Sequence, residues 1–468
     1  KPLFYSMTKS GFVFASEIKA LLEHSEIEPV IDTRSLAEIM IIGPGRTPGC
    51  GVFKGISEIR PAHYAYYDET GLTIHRYWNV EAHEHSDSFE QTAEKVRYLV
   101  TDSIKRQLVS DVPLCTFLSG GLDSSLISSV TNGEFKKSGE VLHTFSVDYK
   151  DNEKYFKKSK FQPNSDPEFI RIMEKYLGGV HHRIVIDTDE LVNALYCAVD
   201  ARDLPGMADV DASMLLLCKA IKEQGTVALS GECADEIFGG YPWYRDKTIR
   251  SSEGFPWAQS TEYRMSFLND EFAEKIDGSE YVYERYKLTA DSAPLYNKMN
   301  VDDMKTAQMM KLNLDWFMQT LLDRKDRMSM YSSLEVRVPF CDHRIVEYLY
   351  NVPWELKCLN GVVKGLLRAA GEGILPDEVL YRRKSPYPKT YDPNYEKILS
   401  KELLKVMAKK GAPIKELIDA YKLSRFLDSP KDYGKPWYGQ LMAGPQMIAY
   451  LLQVNYWLEK YQITLDLS

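Results

Sequence analysis

Two short stretches carry residue types that could do chemistry on a phosphate ester. Ser119-Gly-Gly-Leu-Asp-Ser-Ser125 packs three hydroxyls, two glycines and a carboxylate into seven residues. It follows an apolar run at 113–118 and opens a helical one. Gly120 and Gly121 let the backbone turn tightly and come close to a ligand. The hydroxyls of Ser119, Ser124 and Ser125, with the free N–H groups of a helix start, can donate to phosphate oxygens, and the helix dipole favours negative charge there. Asp123 suits such a cradle if a divalent cation lies between it and the phosphates, since Mg²⁺ takes one or two carboxylates plus phosphate oxygens. The same string also reads as an ordinary N-capped helix, and by itself it leaves the two readings level. No Gly-Lys-Ser/Thr follows, so it is not a Walker loop. The missing lysine suggests that the bond broken is not the one to the last phosphate.

The second stretch is Ser230-Gly-Glu-Cys-Ala-Asp-Glu236, followed by Ile237-Phe-Gly-Gly-Tyr241. It too closes an apolar run, at 226–230. Asp235 could complete a Mg²⁺ site with Asp123, and Glu232 would sit near a reacting carboxyl, where a base is useful. Alone, it is more simply an acidic helix start.

The elements that must position these loops are legible from periodicity. Phe89, Ala93, Val96, Val100, Ile104 and Leu108 recur at helical spacing. Strands are expected at 113–118, 141–147, 183–186 and 226–230, alternating with helices after Asp123 and at 167–177, 190–199 and 213–224. Such alternation predicts a parallel sheet covered on both faces, with ligands outside the carboxyl ends of its strands. From about 260 onward the signal is almost entirely helical. Residues 1–80 differ, being short β-rich stretches such as Gly11-Phe-Val-Phe-Ala15 and His63-Tyr-Ala-Tyr-Tyr67. The polar segment 81–88 reads as a linker, with His83 and His85 solvated rather than metal-binding.

Ser-Gly-Gly-x-Asp-Ser resembles the pyrophosphate loop of the N-type ATP pyrophosphatases, which cleave between the α- and β-phosphates and form an adenylate. Ser-Gly-Glu-x-x-Asp-Glu-x-Phe-Gly-Gly-Tyr is similar to the second signature of the asparagine synthetase family within that group. Leu334-Glu-Val-Arg-Val-Pro-Phe-Cys-Asp342 and Lys364-Gly-Leu-Leu-Arg368 resemble that family's third and fourth motifs, in the family's order. Phe14-Ala-Ser-Glu-Ile-Lys-Ala-Leu-Leu22 and Phe53-Lys-Gly-Ile56 are similar to the closing part of its N-terminal-nucleophile glutaminase domain.

The resemblance implies an α/β fold. A parallel-sheet, adenine-nucleotide-hydrolase-like synthetase domain over 89–468, with a helical C-terminal part, would follow a glutaminase remnant at 1–80 and the 81–88 linker. The residues that should carry the glutaminase nucleophile would precede Lys1, so glutamine hydrolysis is expected of a longer parent protein. It also implies that ATP and aspartate give β-aspartyl-AMP and pyrophosphate, and that ammonia, or glutamine as its source, then gives asparagine. On that reading Ser119, Gly120, Gly121, Asp123 and Ser124 hold pyrophosphate, and Asp123 and Asp235 hold Mg²⁺. Ser230 and Gly231 contact the nucleotide, Phe117 and Val147 line the adenine pocket, Glu232 is the base, and Lys364 stabilises the crowded phosphorus. Glu335 and Arg337 would form an ion pair shaping the site.

Relatives often carry a Thr/Arg-bearing stretch before the second loop. Here it reads Leu204-Pro-Gly-Met-Ala-Asp-Val-Asp-Ala212, with Asp209 and Asp211 and no cation for a substrate carboxylate. Arg382, Arg383 and Lys384 could supply one, although such a run is more often plain surface. Two other readings therefore stand beside the first: the same adenylation on another carboxylate, as in β-lactam-synthetase-like cyclases, and a nucleotide-binding homologue without chemistry.

Bulk properties agree with a multidomain globular enzyme of 468 residues. A net charge of −9 argues against a nucleic-acid or anionic-membrane partner. The seven cysteines form no C-x-x-C pair and read as free thiols of a cytoplasmic protein. The uncharged run at 436–458 contains Gln440, Gln446, Gln453 and Asn455 and is expected as a buried C-terminal helix preceded by a loop rather than a membrane span. A homodimer is an open expectation.

Overall fold

Five short parallel strands form the central sheet, and their order explains where ligands can bind. The computed structural model describes residues 1–156, 166–428 and 436–467. In chain order the strands are β1 (Phe4–Thr8), β2 (Gly11–Ala15), β3 (Val30–Asp32), β4 (Ile56–Glu58), β5 (His63–Asp68), β6 (Gly71–Arg76), β7 (Leu114–Phe117), β8 (His143–Tyr149), β9 (Val180–Ile186), β10 (Val227–Leu229), β11 (Glu335–Arg337) and β12 (Thr464–Asp466). The central sheet runs β11-β10-β7-β8-β9, all parallel. Its middle strands β7 and β10 are buried along their whole length, as a sheet covered on both faces requires.

The chain lays β8 and β9 on one side of β7 and β10 and β11 on the other. The strand order therefore reverses between β7 and β10, a switch point where the loops leaving two neighbouring strands diverge and open a crevice. Those two loops are residues 118–121 and 230–233.

Helices cover the sheet. Phe89–Arg106 begins with a capping box, Ser88 accepting from the Gln91 N–H and the Gln91 side chain returning to the Ser88 N–H. Leu122–Ser138 follows β7, Asp166–Leu177 follows β8, and Thr188–Arg202 with Asp209–Lys222 fill the connection to β10. Helix Met318–Tyr331 leads into β11.

β11 falls in a region whose sequence signal is helical. Three residues are too few for a period, and the Val338-Pro339 step ends the strand at once; only its ladder to β10, Val227 opposite Glu335 to Leu229 opposite Arg337, marks it.

The first eighty residues hold an antiparallel sheet β2-β1-β4, the β5–β6 hairpin, and β3, which pairs in parallel with β12 from the other end of the chain. They also contain the helical stretch Thr33–Ala37 and Glu38–Ile42, within the part expected to be β-rich. Leu36, Ile39, Met40 and Ile41 from this stretch join one hydrophobic core with Trp437, Tyr450 and Leu451. The Tyr450 hydroxyl donates to the Ile39 carbonyl at 2.6 Å. Residues 79–88 have no regular structure and lie along helix His343–Asn351, where Asn351 donates to the Glu81 carbonyl and Tyr348 to Asp87.

The 436–458 run ends in helix Gly444–Lys460, buried along most of its length. Among the described residues no helix is long and apolar enough to cross a membrane. All seven cysteines are free.

Candidate active site

The loop after β7 turns where the sequence needs it to. Gly120 takes φ +67, and a Cβ there would lie 2.8 Å from the backbone of Phe169 and Ile170. Gly121 has φ −81 and needs no such freedom; it caps the next helix from extended backbone. Inside the loop the Ser119 and Ser124 hydroxyls lie 3.0 Å apart, the Ser119 N–H donates to Ser124 Oγ, and the Gly121 N–H donates to Ser119 Oγ.

The loop after β10 packs directly on this one. A Cβ on Gly231 would come within 3.1 Å of Asp123 Cβ and 3.3 Å of the Ser124 nitrogen. Beyond it, Cys233 holds φ +77 to start helix Ala234–Phe238. Non-glycine residues rarely adopt this region, and they do so where the surroundings over-determine them.

Lys364 joins the two loops. It also has a left-handed backbone, φ 55, at the start of helix Gly365–Gly371. Its ammonium lies 2.7 and 2.6 Å from the two Asp123 oxygens and 2.6 Å from Asp235 Oδ1, with only 4% of the residue exposed. Lys384 contacts the other oxygen of Asp235. Burial would depress the Lys364 ammonium, but the two carboxylates outweigh it and raise its pKa. Burial raises the Asp123 carboxyl against the pull of Lys364. At Asp235 burial acts in the same upward sense, but Lys364 and Lys384 overcome it and hold the carboxyl well below its ordinary range.

Together these elements enclose a cavity of about 260 Å³. Phe117, Ser119, Gly121, Asp123, Ser124, Val147, Ser230, Gly231, Glu232, Asp235 and Lys364 all line it. Of the expected phosphate-loop residues, Gly120 stands behind the wall as the turn that packs on Phe169, and the expectation for Ser125 is corrected: it is fully buried in the first turn of helix Leu122–Ser138 and its hydroxyl does not reach the cavity. The expectation that Glu335 and Arg337 shape the site is corrected. Arg337 Nε does lie 2.7 Å from Glu335, but its guanidinium donates to the carbonyls of Gln107 and Val109 at the sheet edge, outside the cavity.

Asp209 and Asp211 do not line the cavity either. Both are buried in the first turn of helix Asp209–Lys222, where Asp211 accepts from the Met207 N–H at 2.9 Å and pairs with Arg202 at 3.4 Å. The 382–384 run is not plain surface. Arg382 is buried, pairs with Asp166 and donates to the Ser119 carbonyl, and all three residues line the cavity.

Two residues that no motif marked complete the site. Arg324 and Lys325, on helix Met318–Tyr331, face Glu232: Lys325 Nζ is 2.9 Å and an Arg324 Nη 3.7 Å from Glu232 Oε1. Burial would raise the Glu232 carboxyl, but the two cations more than offset it and lower its pKa. Lys325 also lies 4.0 Å above the Phe117 ring. A signal for them exists in the sequence: positions 317, 321, 324, 325 and 328 share one helical stripe, so two cations sit among Phe317, Leu321 and Met328. Cations on an apolar stripe need a buried partner.

Seven cationic side chains (Arg324, Lys325, Lys364, Arg368, Arg382, Arg383, Lys384) and five acidic ones (Asp123, Asp166, Glu232, Asp235, Glu236) line the cavity, an excess of two positive charges. That excess suits a polyanionic ligand. The Asp123–Asp235 pair could hold Mg²⁺: both are carboxylates, they come from adjacent strand ends, and one ammonium lies against both.

Comparison with known proteins identifies the family. The asparagine synthase family model matches residues 95–459, and the glutamine amidotransferase domain model matches residues 1–78. Asparagine synthetase [glutamine-hydrolyzing] 3 of Bacillus subtilis (strain 168) is 51% identical over 468 residues, all of this chain and 76% of that protein. Asparagine synthetase [glutamine-hydrolyzing] 1 of the same organism is 30% identical over 83% of this chain and 64% of its own length. The chain thus spans about two thirds to three quarters of these relatives. A solved NMN synthetase from Francisella tularensis aligns over 52% of this chain and 94% of its own at 14% identity and a TM-score of 0.22. The extent of the family match and the identity to the first relative together show that the chain belongs to the asparagine synthase family.

Proposed function

We propose that this protein converts aspartate to asparagine with ATP, through β-aspartyl-AMP. The observation that carries the reading is the contact of one buried ammonium, Lys364, with a carboxylate from each strand-end loop, Asp123 and Asp235. In the first step a β-carboxylate oxygen of aspartate attacks the α-phosphorus of ATP and pyrophosphate leaves. In the second, ammonia attacks the acyl carbon, AMP leaves, and one proton is lost from nitrogen.

The residues divide this work. The hydroxyls of Ser119 and Ser124 and the N–H groups of the 119–125 loop bind the leaving pyrophosphate. Ser230 and Gly231 contact the nucleotide, and Phe117 and Val147 flank its base. Asp123 and Asp235 would hold Mg²⁺, which supplies positive charge to the phosphate oxygens. Lys364, freed from one carboxylate, places its charge on the α-phosphoryl group as negative charge gathers there. Glu232 takes the proton of the attacking nitrogen; its Oε2 is buried without a hydrogen-bond partner. Lys325 and Arg324 keep it ionised and ready to accept. Ammonia from glutamine is proposed for the longer protein in which residues 1–78 complete an amidotransferase domain.

The test is pyrophosphate release with ATP, Mg²⁺ and ammonium against a panel of amino acids. Release with aspartate, and asparagine among the products, is expected. Release only with another carboxylic acid, or none at all, would overturn the reading.

A further inference from the structure

Arg324 stands out among the buried cations of the cavity; Arg383 is exposed. Lys364, Lys384 and Arg382 each engage an aspartate, and Arg368 donates to backbone carbonyls. Among the described residues Arg324 makes no hydrogen bond. Its Nε is buried without a partner, and its one ion pair is the 3.7 Å approach to a Glu232 oxygen that Lys325 already holds at 2.9 Å. The residue is 5% exposed, and its guanidinium lies 5.6 Å from the centre of the Tyr387 ring, which supports it from one side. A buried guanidinium costs desolvation free energy, and here one long ion pair and one ring face leave its hydrogen-bond donors unused. Planar, five-donor groups of this kind match a carboxylate in two parallel hydrogen bonds.

Position separates this cation from the phosphate end of the cavity. Lys364, Lys384 and Arg382 gather on the 119–125 loop and Asp235. Arg324 lies beside Glu232, where the acyl group must be for ammonia to reach it. The stretch at 204–212 offers no cation, its two aspartates being buried outside the cavity.

We propose that Arg324 is a specificity-determining residue that receives the α-carboxylate of the substrate, the one that is not activated. The assignment rests on the aspartate-adenylating reading given above. It makes the enzyme selective for an amino dicarboxylate: aspartate is retained by its second carboxylate, and β-alanine, the same molecule without that group, is rejected. A site built to hydrogen-bond a substrate group rejects the analogue that lacks it by about 10⁴-fold.

The experiment compares aspartate with β-alanine in pyrophosphate release, for the wild type, Arg324→Met and Arg324→Lys. In the wild type kcat/KM favours aspartate by ~10³-fold or more. Arg324→Met is expected to bring that preference below ~10-fold, through the aspartate KM, with the ATP KM moving less than about threefold. Arg324→Lys, which keeps charge but not the fork, is expected to fall between them. Calorimetric binding of ATP to Arg324→Met reports that the variant is folded. An unchanged preference in the methionine variant, or a loss that falls on the ATP KM instead, overturns the proposal. A wild type that releases no pyrophosphate with aspartate sinks the underlying reading instead.

Discussion

Lys364 is held between two aspartates that would otherwise repel, and with Lys384 on Asp235 it balances the charge of the pair. Removing the charge of Asp123 leaves the ammonium to Asp235 and spoils the phosphate end. Asp123→Asn is expected to lower pyrophosphate release by at least ~10²-fold with the circular dichroism spectrum unchanged; undiminished turnover would refute its role. A second buried lysine does nothing of the kind. Lys357 is 2% exposed, its Nζ meets only the sulfur of Met310 at 3.4 Å among the described residues, and burial lowers its pKa from 10.5 to about 7 despite the distant help of Asp303. The folded state thus binds this proton less tightly than the unfolded chain, so stability rises with pH between about 7 and 10.5 and the full penalty applies below 7. Lys357→Met should therefore stabilise the protein at pH 6 by up to ~5 kcal/mol, the shift at 1.36 kcal/mol per unit, and the gain should shrink by pH 10. Urea unfolding at the two pH values measures this, and a gain independent of pH would show that packing, not charge, is responsible. Sequence alone could expose neither case fully. Lys364 lay in a recognisable motif, whereas nothing about a lone lysine at 357 announces burial, because its surroundings come from helices distant in the chain.

Elements position what residues do, and glycine spacing here is tight. A Cβ on Gly240 would overlap Asp235 Oδ1 and stand 2.5 Å from Lys364 Cε. The atoms met are side-chain ends that can move, so Gly240→Ala should fold while losing at least ~10-fold in pyrophosphate release, since misplacing a reacting group by an ångström costs about that or more. Full activity in this variant would mean that the Asp235–Lys364 contact is not needed. Helix Met318–Tyr331 has two working faces. One carries Arg324 and Lys325 to Glu232. The other is gripped by the first eighty residues: Arg46 approaches Asp323 at 4.0 Å, Gln319 donates to Glu58 at 3.3 Å, and Arg327 pairs with Glu17 and donates to the Ser16 carbonyl. Arg46 itself is buried and forks onto both oxygens of Glu58 at 2.6 and 2.9 Å. Arg46→Met leaves Glu58 and Asp323 without that partner and should cost about 3 kcal/mol in chemical denaturation. A loss under 1 kcal/mol would place the pair among inert surface bridges. The β7–loop–helix and β10–loop–helix units were legible because hydroxyls, glycines and carboxylates follow apolar runs directly. β11 was not, being three residues long and defined only by its neighbour. The dual role of Met318–Tyr331 needed the tertiary structure to reveal which partner each face meets.

At the scale of the whole molecule the hydrophobic core does not respect the change in sequence character near residue 80. Ile39 and Met40 share it with Trp437 and Tyr450, and β12 is hydrogen-bonded to β3. Unfolding should accordingly be one cooperative event, with tryptophan fluorescence and far-ultraviolet circular dichroism giving coincident transitions. Two separated transitions would show that the first eighty residues melt on their own. The alternating order of strands and helices forecast the parallel sheet, and composition forecast a large globular chain. The helical turn at 33–42 escaped notice because five of its residues, Ile39, Met40, Ile41, Ile42 and Leu36, are apolar in a near-continuous run that strands and buried helices share.

Helix Met318–Tyr331 also lies as a rod between the cavity and the first eighty residues. Close-packed interiors transmit displacement rather than absorb it. A shift of Arg46 or Glu17 on one flank is therefore expected to reach Glu232 on the other, which would gear the proposed base to the module that the glutamine amidotransferase model matches.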